Sequence, residues 1–161
     1  ATSDGGIDWL HELPNPNNSD YGYSEFIKNI DALMMGRNSF EKIITFNEWP
    51  YEEKVFVLSS TLTEVPPELS DKVEFVSGSP KEILSIAHSQ GFNNLYIDGG
   101  LVVQSFLSED LIDELIVTRV PVLLGGGIPL FGSLVEPLKF THKNTEIYDN
   151  ALVKSHYSRV K

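Results

Sequence analysis

Three short clusters of small and polar residues each follow a run of apolar residues. The clusters are Gly36-Arg37-Asn38-Ser39, Ser59-Ser60 and Asp98-Gly99-Gly100. Glycine lets an anion approach the backbone closely, arginine is a permanent bidentate donor, and serine adds hydroxyl donors. The first and third clusters stand where a helix is predicted to begin, so free N–H groups would face an anion there. Serine and arginine suit a ribose phosphate better than a free ribose hydroxyl. The three clusters together favour a phosphorylated dinucleotide such as NADPH.

Each cluster alone has a structural explanation that is at least as good. Gly-Gly after a strand is usually a turn, and Ser-Ser is usually the start of a loop. Neither a GxGxxG fingerprint after a strand nor a P-loop motif is present in the sequence. The triple glycine at 125–127 is explained equally well as a loop of forced backbone geometry. The nucleotide interpretation therefore depends on all three clusters reaching one edge of a sheet.

Other chemistries find less support in the sequence. Asp113 and Glu114 are adjacent, so in a strand they would point to opposite faces and could not act as an acid pair. Cysteine is absent, and no serine stands in a GxSxG motif. The histidines lie far apart in the chain, at His11, His88, His142 and His156. We therefore predict no metal site and favour hydride transfer, in which a bound cofactor does the chemistry.

The elements that must position the clusters alternate between strands and helices. Apolar runs predict strands at 32–35, 55–58, 73–76 and 95–97. Helices are predicted over 21–30, after an N-cap at Asn38, from Ser79 to Gly91, and through 106–107. The segment 112–124 should hold the longest strand, ended or bent by Pro121, and the tail from 140 to 160 has hairpin character around Asp149-Asn150. This order predicts one α/β domain.

Composition limits the classes of partner. The chain has 161 residues, 41% of them hydrophobic and 22% charged, which is ordinary for a soluble globular protein. Its net charge of −11 makes nucleic acid an unfavourable partner. No apolar run is long enough for a membrane helix. The absence of cysteine agrees with a cytoplasmic location.

Four stretches in this order resemble the dihydrofolate reductase superfamily: ALMMGRNSFEKI (32–43), VFVLSS (55–60), LYIDGGLVVQSFL (95–107) and LIDELIVTRVPVLLGGGIPLFG (111–132). The resemblance is stronger to the branch that contains the reductase domain of bacterial riboflavin biosynthesis. It implies a three-layer fold over residues 1–161, with a mostly parallel central sheet flanked by helices and a C-terminal antiparallel hairpin. Relatives carry a strand before the ATS stretch, so we expect residues to be missing around Ala1 to Gly6. The resemblance, the strand at 112–124 and the GGGIPLFG loop suggest a homodimer.

The same resemblance implies roles for individual residues. Cofactor contacts are implied for Ala1, Gly36, Arg37, Asn38, Ser39, Leu58, Ser59, Ser60, Gly99, Gly100, Leu101 and Val102. Within that set Ser59 and Ser60 would meet the ribose 2′-phosphate of NADPH, Leu58 would lie against adenine, and Ala1 would meet the nicotinamide carboxamide through its backbone. The substrate pocket is implied at Trp9, Phe26, Ile27 and Thr118.

The implied activity is NADPH-dependent reduction of a small heterocycle or sugar imine, of the type of 5-amino-6-(5-phosphoribosylamino)uracil. Dihydrofolate reductases carry a carboxylate on the first helix, where Tyr23 stands here, with Asp20 and Glu25 nearby but off register. Asp20, Tyr23 or an ordered water could supply the proton. Two alternatives stay open, a true dihydrofolate reductase and a non-catalytic NADPH-binding module.

Overall fold

The computed structural model describes residues 1–3, 5–148 and 151–161, and these divide into two units. The central unit is Glu25–Leu111, and the terminal unit combines Ala1–Ser24 with Ile112–Lys161. Each unit has a sheet of its own. The prediction of one domain over 1–161 is not tested by this division and stays a prediction.

The central unit is built on a parallel sheet of four strands in the order β3-β2-β1-β4. The strands are β1 (Ala32–Gly36), β2 (Lys54–Leu58), β3 (Val73–Val76) and β4 (Leu95–Ile97). All four predicted strands are confirmed within one residue at each end. Sheets of this kind are covered on both faces, which explains why β1 and β2 read as unbroken apolar runs.

The two inner strands form the core of the central unit. Residues 32–35 and 55–57 have no exposed surface. One face packs in a cluster of Leu33, Met35, Phe40, Val55, Val57, Leu69 and Val73. Successive side chains of a strand point to opposite faces, so Phe56 lies on the other face, where its ring makes a T-shaped contact with Phe92 at a centroid distance of 5.6 Å. The helices that flank the sheet contribute further buried side chains, among them Ile83, Ala87 and Phe106.

The helices are α1 (Tyr23–Ile27), α2 (Arg37–Ile43), α3 (Pro80–Ser89) and α4 (Gly100–Ser108), with 3-10 turns at Asp8–Glu12 and Pro67–Leu69. The helix predicted from Ser79 begins with a capping box, because the Ser79 hydroxyl accepts from the Glu82 N–H at 3.4 Å and the Glu82 carboxylate accepts from the Ser79 N–H at 2.7 Å. Gly91 follows the end of α3 with a φ of +91°, as predicted for a helix stop.

Two helix predictions were wrong in their boundaries. The helix predicted over 21–30 is only five residues long, because the left-handed Gly22 precedes it and tight turn bonds from Asn29 and Ile30 follow it. Asn38 is not an N-cap, because the extended backbone of Gly36 already ends the strand and α2 begins at Arg37.

The terminal unit holds an antiparallel sheet in the order β5-β7-β6. Its strands are β5 (Glu114–Arg119), β6 (Phe140–Ile147) and β7 (Val153–Arg159). The C-terminal hairpin is confirmed, whereas its predicted turn at Asp149-Asn150 lies outside the described residues. The segment 112–124 does not contain the longest strand, since β5 has six residues and β6 has eight. Pro121 lacks the N–H that would continue the ladder, and β5 ends just before it. None of the helices in the described part of the chain is long and apolar enough to cross a membrane.

Candidate functional site

The three polar clusters lie at one edge of the parallel sheet. Strands β2, β1 and β4 are neighbours and run in the same direction, so their carboxyl ends share that edge. Gly36 of β1 is in register with Leu58 of β2, and the Asp98 N–H donates to the Met34 carbonyl at 2.8 Å. Ligands of open α/β sheets bind beyond the carboxyl ends of the strands.

Arg37 is held by the side chains of Glu41 and Thr61, neither of which was predicted as a site residue. Its Nε donates to Oε1 of Glu41 at 2.6 Å, and its Nη1 donates to Oγ1 of Thr61 at 3.0 Å. Half of the Arg37 side chain is exposed. The i, i+4 spacing of Arg37 and Glu41 on α2 was a readable signal for the first contact. Thr61 lies 24 residues from Arg37, and only the pairing of β1 with β2 brings them together.

Ser59 shapes the turn that follows β2. Its hydroxyl accepts hydrogen bonds from the backbone N–H groups of Thr61 at 3.2 Å and Leu62 at 3.0 Å. The hydroxyls of Ser59 and Thr61 are also 3.3 Å apart. The Ser59 N–H donates to the Val76 carbonyl at 3.0 Å, which continues the contact between β2 and β3. Ser60 is exposed and Leu58 is half-buried.

The third cluster brings the starts of α2 and α4 close together. Gly99 has a φ of +90°, and a Cβ at this position would stand 3.3 Å from Oγ of Ser39. A Cβ on Gly36 would likewise stand 3.3 Å from Cγ2 of Val102. Val102 is buried, so it could meet a ligand only through its backbone, whereas Leu101 is two-thirds exposed. Glycine at 99 therefore leaves bare backbone at the start of α4.

Asp98 is a chemically distinctive residue of this edge to which no role was assigned from the sequence. Burial raises the pKa of its carboxyl, and the hydroxyl of Tyr96 donates to it at 3.3 Å. The rings of Phe26, which is predicted for the substrate pocket, and Tyr96 form a T-shaped contact with their centroids 5.0 Å apart. Ile27, predicted for the same pocket, packs against the core cluster. A carboxylate between an apolar strand and a Gly-Gly pair was the available signal for Asp98.

In the terminal unit, Asp20 is a helix-capping residue. Its carboxylate accepts from the N–H groups of Gly22 and Ser24, both at 2.9 Å. Hydrogen bonds from Ser24 and Gly22 lower the pKa of Asp20 to about 2. An acid of that pKa is almost wholly ionised at neutral pH, so these surroundings give no support to the predicted role of Asp20 as a proton donor. Tyr23 begins α1 and is partly exposed.

The other residues predicted in this unit occupy three different elements. Trp9 lies in the 3-10 turn Asp8–Glu12, and its buried Nε1 has no hydrogen-bond partner among the described residues. Thr118 is exposed on β5. The Ala1 carbonyl accepts from the Ile128 N–H at 3.0 Å. A Cβ on Gly127 would collide with that carbonyl, which supports the structural explanation of the triple glycine.

The edge of the parallel sheet thus presents a guanidinium, hydroxyls and bare backbone, which is a donor set for an anion. No group of three His, Asp or Glu residues within residues 1–3, 5–148 and 151–161 is arranged to hold a metal ion.

Comparison with known proteins identifies close relatives. The family model of the RibD C-terminal domain matches residues 23–154. A crystal structure from Shewanella sp. PV-4, described as a "Putative riboflavin biosynthesis protein", is 47% identical with a TM-score of 0.93, and the match covers 100% of this chain and 92% of that one. The uncharacterized protein YwjB of Bacillus subtilis (strain 168) is 35% identical, over 99% of this chain and 90% of YwjB.

A more distant structure shares the fold. It is the diaminohydroxyphosphoribosylaminopyrimidine deaminase/5-amino-6-(5-phosphoribosylamino)uracil reductase of Thermotoga maritima, which is 17% identical with a TM-score of 0.67. The match covers 89% of this chain and 49% of that one. The α/β fold expected from the sequence is thereby confirmed, as a parallel sheet flanked by helices together with an antiparallel sheet.

Proposed function

The chain belongs to the RibD C-terminal domain family, and from that membership we propose that it is an NADPH-dependent reductase. The proposed substrate is a small heterocycle or sugar imine of the type of 5-amino-6-(5-phosphoribosylamino)uracil, the compound named for the Thermotoga relative. The observation that carries the proposal is the meeting of Arg37, the Ser59-Ser60 turn and Gly99 at one sheet edge.

The residues at this edge fit NADPH, which supplies a hydride when bound. Arg37 and the hydroxyls after β2 would hold the ribose 2′-phosphate, because a guanidinium and hydroxyls donate to phosphate oxygens. The N–H groups of the first turn of α4, where the N-cap Gly99 makes no side-chain capping bond, would hold the pyrophosphate, and Gly99 keeps a side chain out of the space beside Ser39. Asn38, Ser39 and Gly100 stay predicted cofactor residues on this basis.

Reduction of a C=N bond also requires a proton on the nitrogen. The capping role and low pKa of Asp20 disfavour it as the source, so Tyr23 or a water molecule is the better candidate. The chain's larger contribution is orientation of the reacting groups, which alone can supply much of the rate. Trp9, Phe26, Ile27 and Thr118 stay predicted substrate residues.

The test is NADPH oxidation by the purified chain, offered the phosphoribosylaminouracil or dihydrofolate in parallel. We expect turnover of the pyrimidine with NADPH and little with NADH. Arg37→Ala should raise the KM for NADPH by about tenfold or more while kcat changes little, because it loses a charge-assisted contact made equally in ground and transition states. Lys72→Ala, which removes an exposed charge of the same unit, is the matched control.

A variant of Asp20 tests whether this residue is the proton donor. Asp20→Asn should keep kcat within about threefold, whereas a true general acid would lose about 10²–10⁴-fold.

Turnover of dihydrofolate in place of the pyrimidine would establish the dihydrofolate reductase alternative. Tight NADPH binding without turnover of either would establish the binding module, and failure to bind NADPH would refute the proposal.

A further inference from the structure

The hydrogen bonds around the hydroxyls of Ser59 and Thr61 determine which of the two hydroxyls donates to the other. A hydroxyl has one proton to donate and two lone pairs to accept with. Oγ of Ser59 already accepts from the N–H groups of Thr61 at 3.2 Å and Leu62 at 3.0 Å, which uses both lone pairs. The contact of 3.3 Å between the two hydroxyls must therefore be donated by Ser59 and accepted by Thr61.

The lone pairs of the Thr61 hydroxyl are also both in use. Its Oγ1 accepts from Ser59 and also from Nη1 of Arg37 at 3.0 Å. Both lone pairs are then in use, and the proton of the Thr61 hydroxyl has no acceptor among the described residues. The Thr61 side chain is exposed at the carboxyl end of β2. Because both lone pairs of the Thr61 hydroxyl are in use, its remaining hydrogen bond is one that it donates, to water or to a ligand.

Arg37 presents a second donor beside it. Glu41 takes the Nε–H at 2.6 Å and Thr61 takes an Nη1–H, and the described residues leave Nη2 without a partner. Because the guanidinium is rigid and planar, these two bonds fix the direction of the Nη2 donors. The Nη1–Oγ1 distance of 3.0 Å also places the Thr61 hydroxyl within reach of an anion that Nη2 binds.

Resting on the proposed NADPH site, we propose that Thr61 is the residue that discriminates NADPH from NADH. Its hydroxyl, with Nη2 of Arg37, donates to the 2′-phosphate. The family resemblance implied that contact for Ser59 together with Ser60. In this arrangement Ser59 is a positioning residue, because its hydroxyl donates to Thr61 and accepts from the N–H groups of the turn. Glu41 is a second positioning residue, which fixes the plane of Arg37.

The test is binding of matched ligand pairs that differ only in the 2′-phosphate. NADPH against NADH, and 2′,5′-ADP against AMP, are titrated by calorimetry into the wild-type chain and into Thr61→Val, Thr61→Ser and Ser59→Ala. Thr61→Val is isosteric and changes no charge. We expect it to weaken NADPH and 2′,5′-ADP by about tenfold or more, since a hydrogen bond to a charged group is lost, and to leave NADH and AMP within about twofold. Thr61→Ser should retain the wild-type preference.

The outcomes separate this inference from the function on which it rests. If the wild type binds neither dinucleotide, the proposed function fails first. If the wild type prefers NADPH and Thr61→Val keeps that preference, the assignment to Thr61 is overturned. A greater loss of the preference in Ser59→Ala than in Thr61→Val would return the phosphate contact to Ser59. Loss of AMP and NADH binding in Thr61→Val, with Thr61→Ser equally impaired, would show that position 61 only supports the turn, which also overturns the assignment.

Discussion

At the scale of single residues, Asp20 and Asp98 carry the same carboxyl group in opposite surroundings. Asp20 is exposed and accepts two backbone N–H groups, which stabilise its ionised form and lower its pKa to about 2. Asp98 is half-buried beside Tyr96, and burial raises its pKa because the ionised form loses hydration. A half-buried acid at a strand end is more typical of a functional site than an exposed helix cap is.

The raised pKa of Asp98 predicts a pH dependence of stability. An acid whose folded pKa lies above its unfolded value contributes stability below the unfolded pKa, near 3.8, and loses it as pH rises through the folded pKa. Asp98→Asn should therefore match the wild type at low pH and become the more stable of the two as pH rises. Within that window the difference should grow by at most about 1.4 kcal/mol per pH unit. Urea unfolding at a series of pH values measures it.

Asp20→Asn is the control for this measurement, with the sign reversed. Its folded pKa of about 2 lies below the ordinary aspartate pKa of 3.8, so the wild type should gain stability over the variant above pH 3.8 and lose that gain as pH falls toward 2. If the stability differences of Asp98→Asn and Asp20→Asn from the wild type changed with pH in the same direction, the environments assigned to Asp98 and Asp20 would be contradicted.

At the scale of elements, the parallel strands were the most predictable part of the fold. Residues 32–35 and 55–57 are buried on both faces, and burial of that kind leaves an unbroken apolar run in the sequence. The antiparallel strands were harder, since β6 is exposed over almost its whole length and shows no apolar alternation. Burial imposes an apolar pattern only on the residues that are buried. The sequence therefore predicted a C-terminal hairpin but not that β6 is the longest strand.

The candidate site divides in the same way. Gly36, Ser59 and Gly99 could be predicted as site residues because each follows a recognisable apolar run, and parallel strands bring such ends to one edge. Thr61 was missed because its role arises from the lone pairs of Ser59 and from a contact with Arg37, 24 residues away. The pairing of donors with acceptors depends on the three-dimensional structure, and residue types alone do not reveal it.

The capping box of α3 provides a prediction for this scale. The Ser79 hydroxyl satisfies the Glu82 N–H, so Ser79→Ala should destabilise the chain by about 0.5–2 kcal/mol. Ser85→Ala is the matched control, because the Ser85 hydroxyl donates to the Lys81 carbonyl of its own helix at 3.0 Å, and alanine is the better helix former. Ser85→Ala should be neutral or slightly stabilising in urea unfolding. Equal losses in both variants would count against the cap.

At the scale of the whole molecule, the terminal unit exposes a long apolar segment between β5 and β6. Leu123 and Val135 are almost fully exposed. At least a third of the surface is also exposed at Val122, Leu124, Ile128, Leu130, Phe131 and Leu134. So many large apolar side chains within one segment are unusual for the free surface of a monomer and typical of a contact with another chain.

We propose that a second copy of this chain covers the segment 122–135, and the net charge makes that proposal testable. Two copies that each carry −11 repel each other, so apolar burial must offset the repulsion, and association should strengthen as salt screens it.

Leu123→Glu would lose about 1.5–3 kcal/mol of apolar burial and add a charge to the contact. Sedimentation equilibrium should therefore give twice 18.0 kDa for the wild type and 18.0 kDa for Leu123→Glu. Ile44→Glu, the same change at an exposed apolar residue of the central unit, should stay dimeric, and a wild type that sediments as a monomer at high salt would refute the dimer.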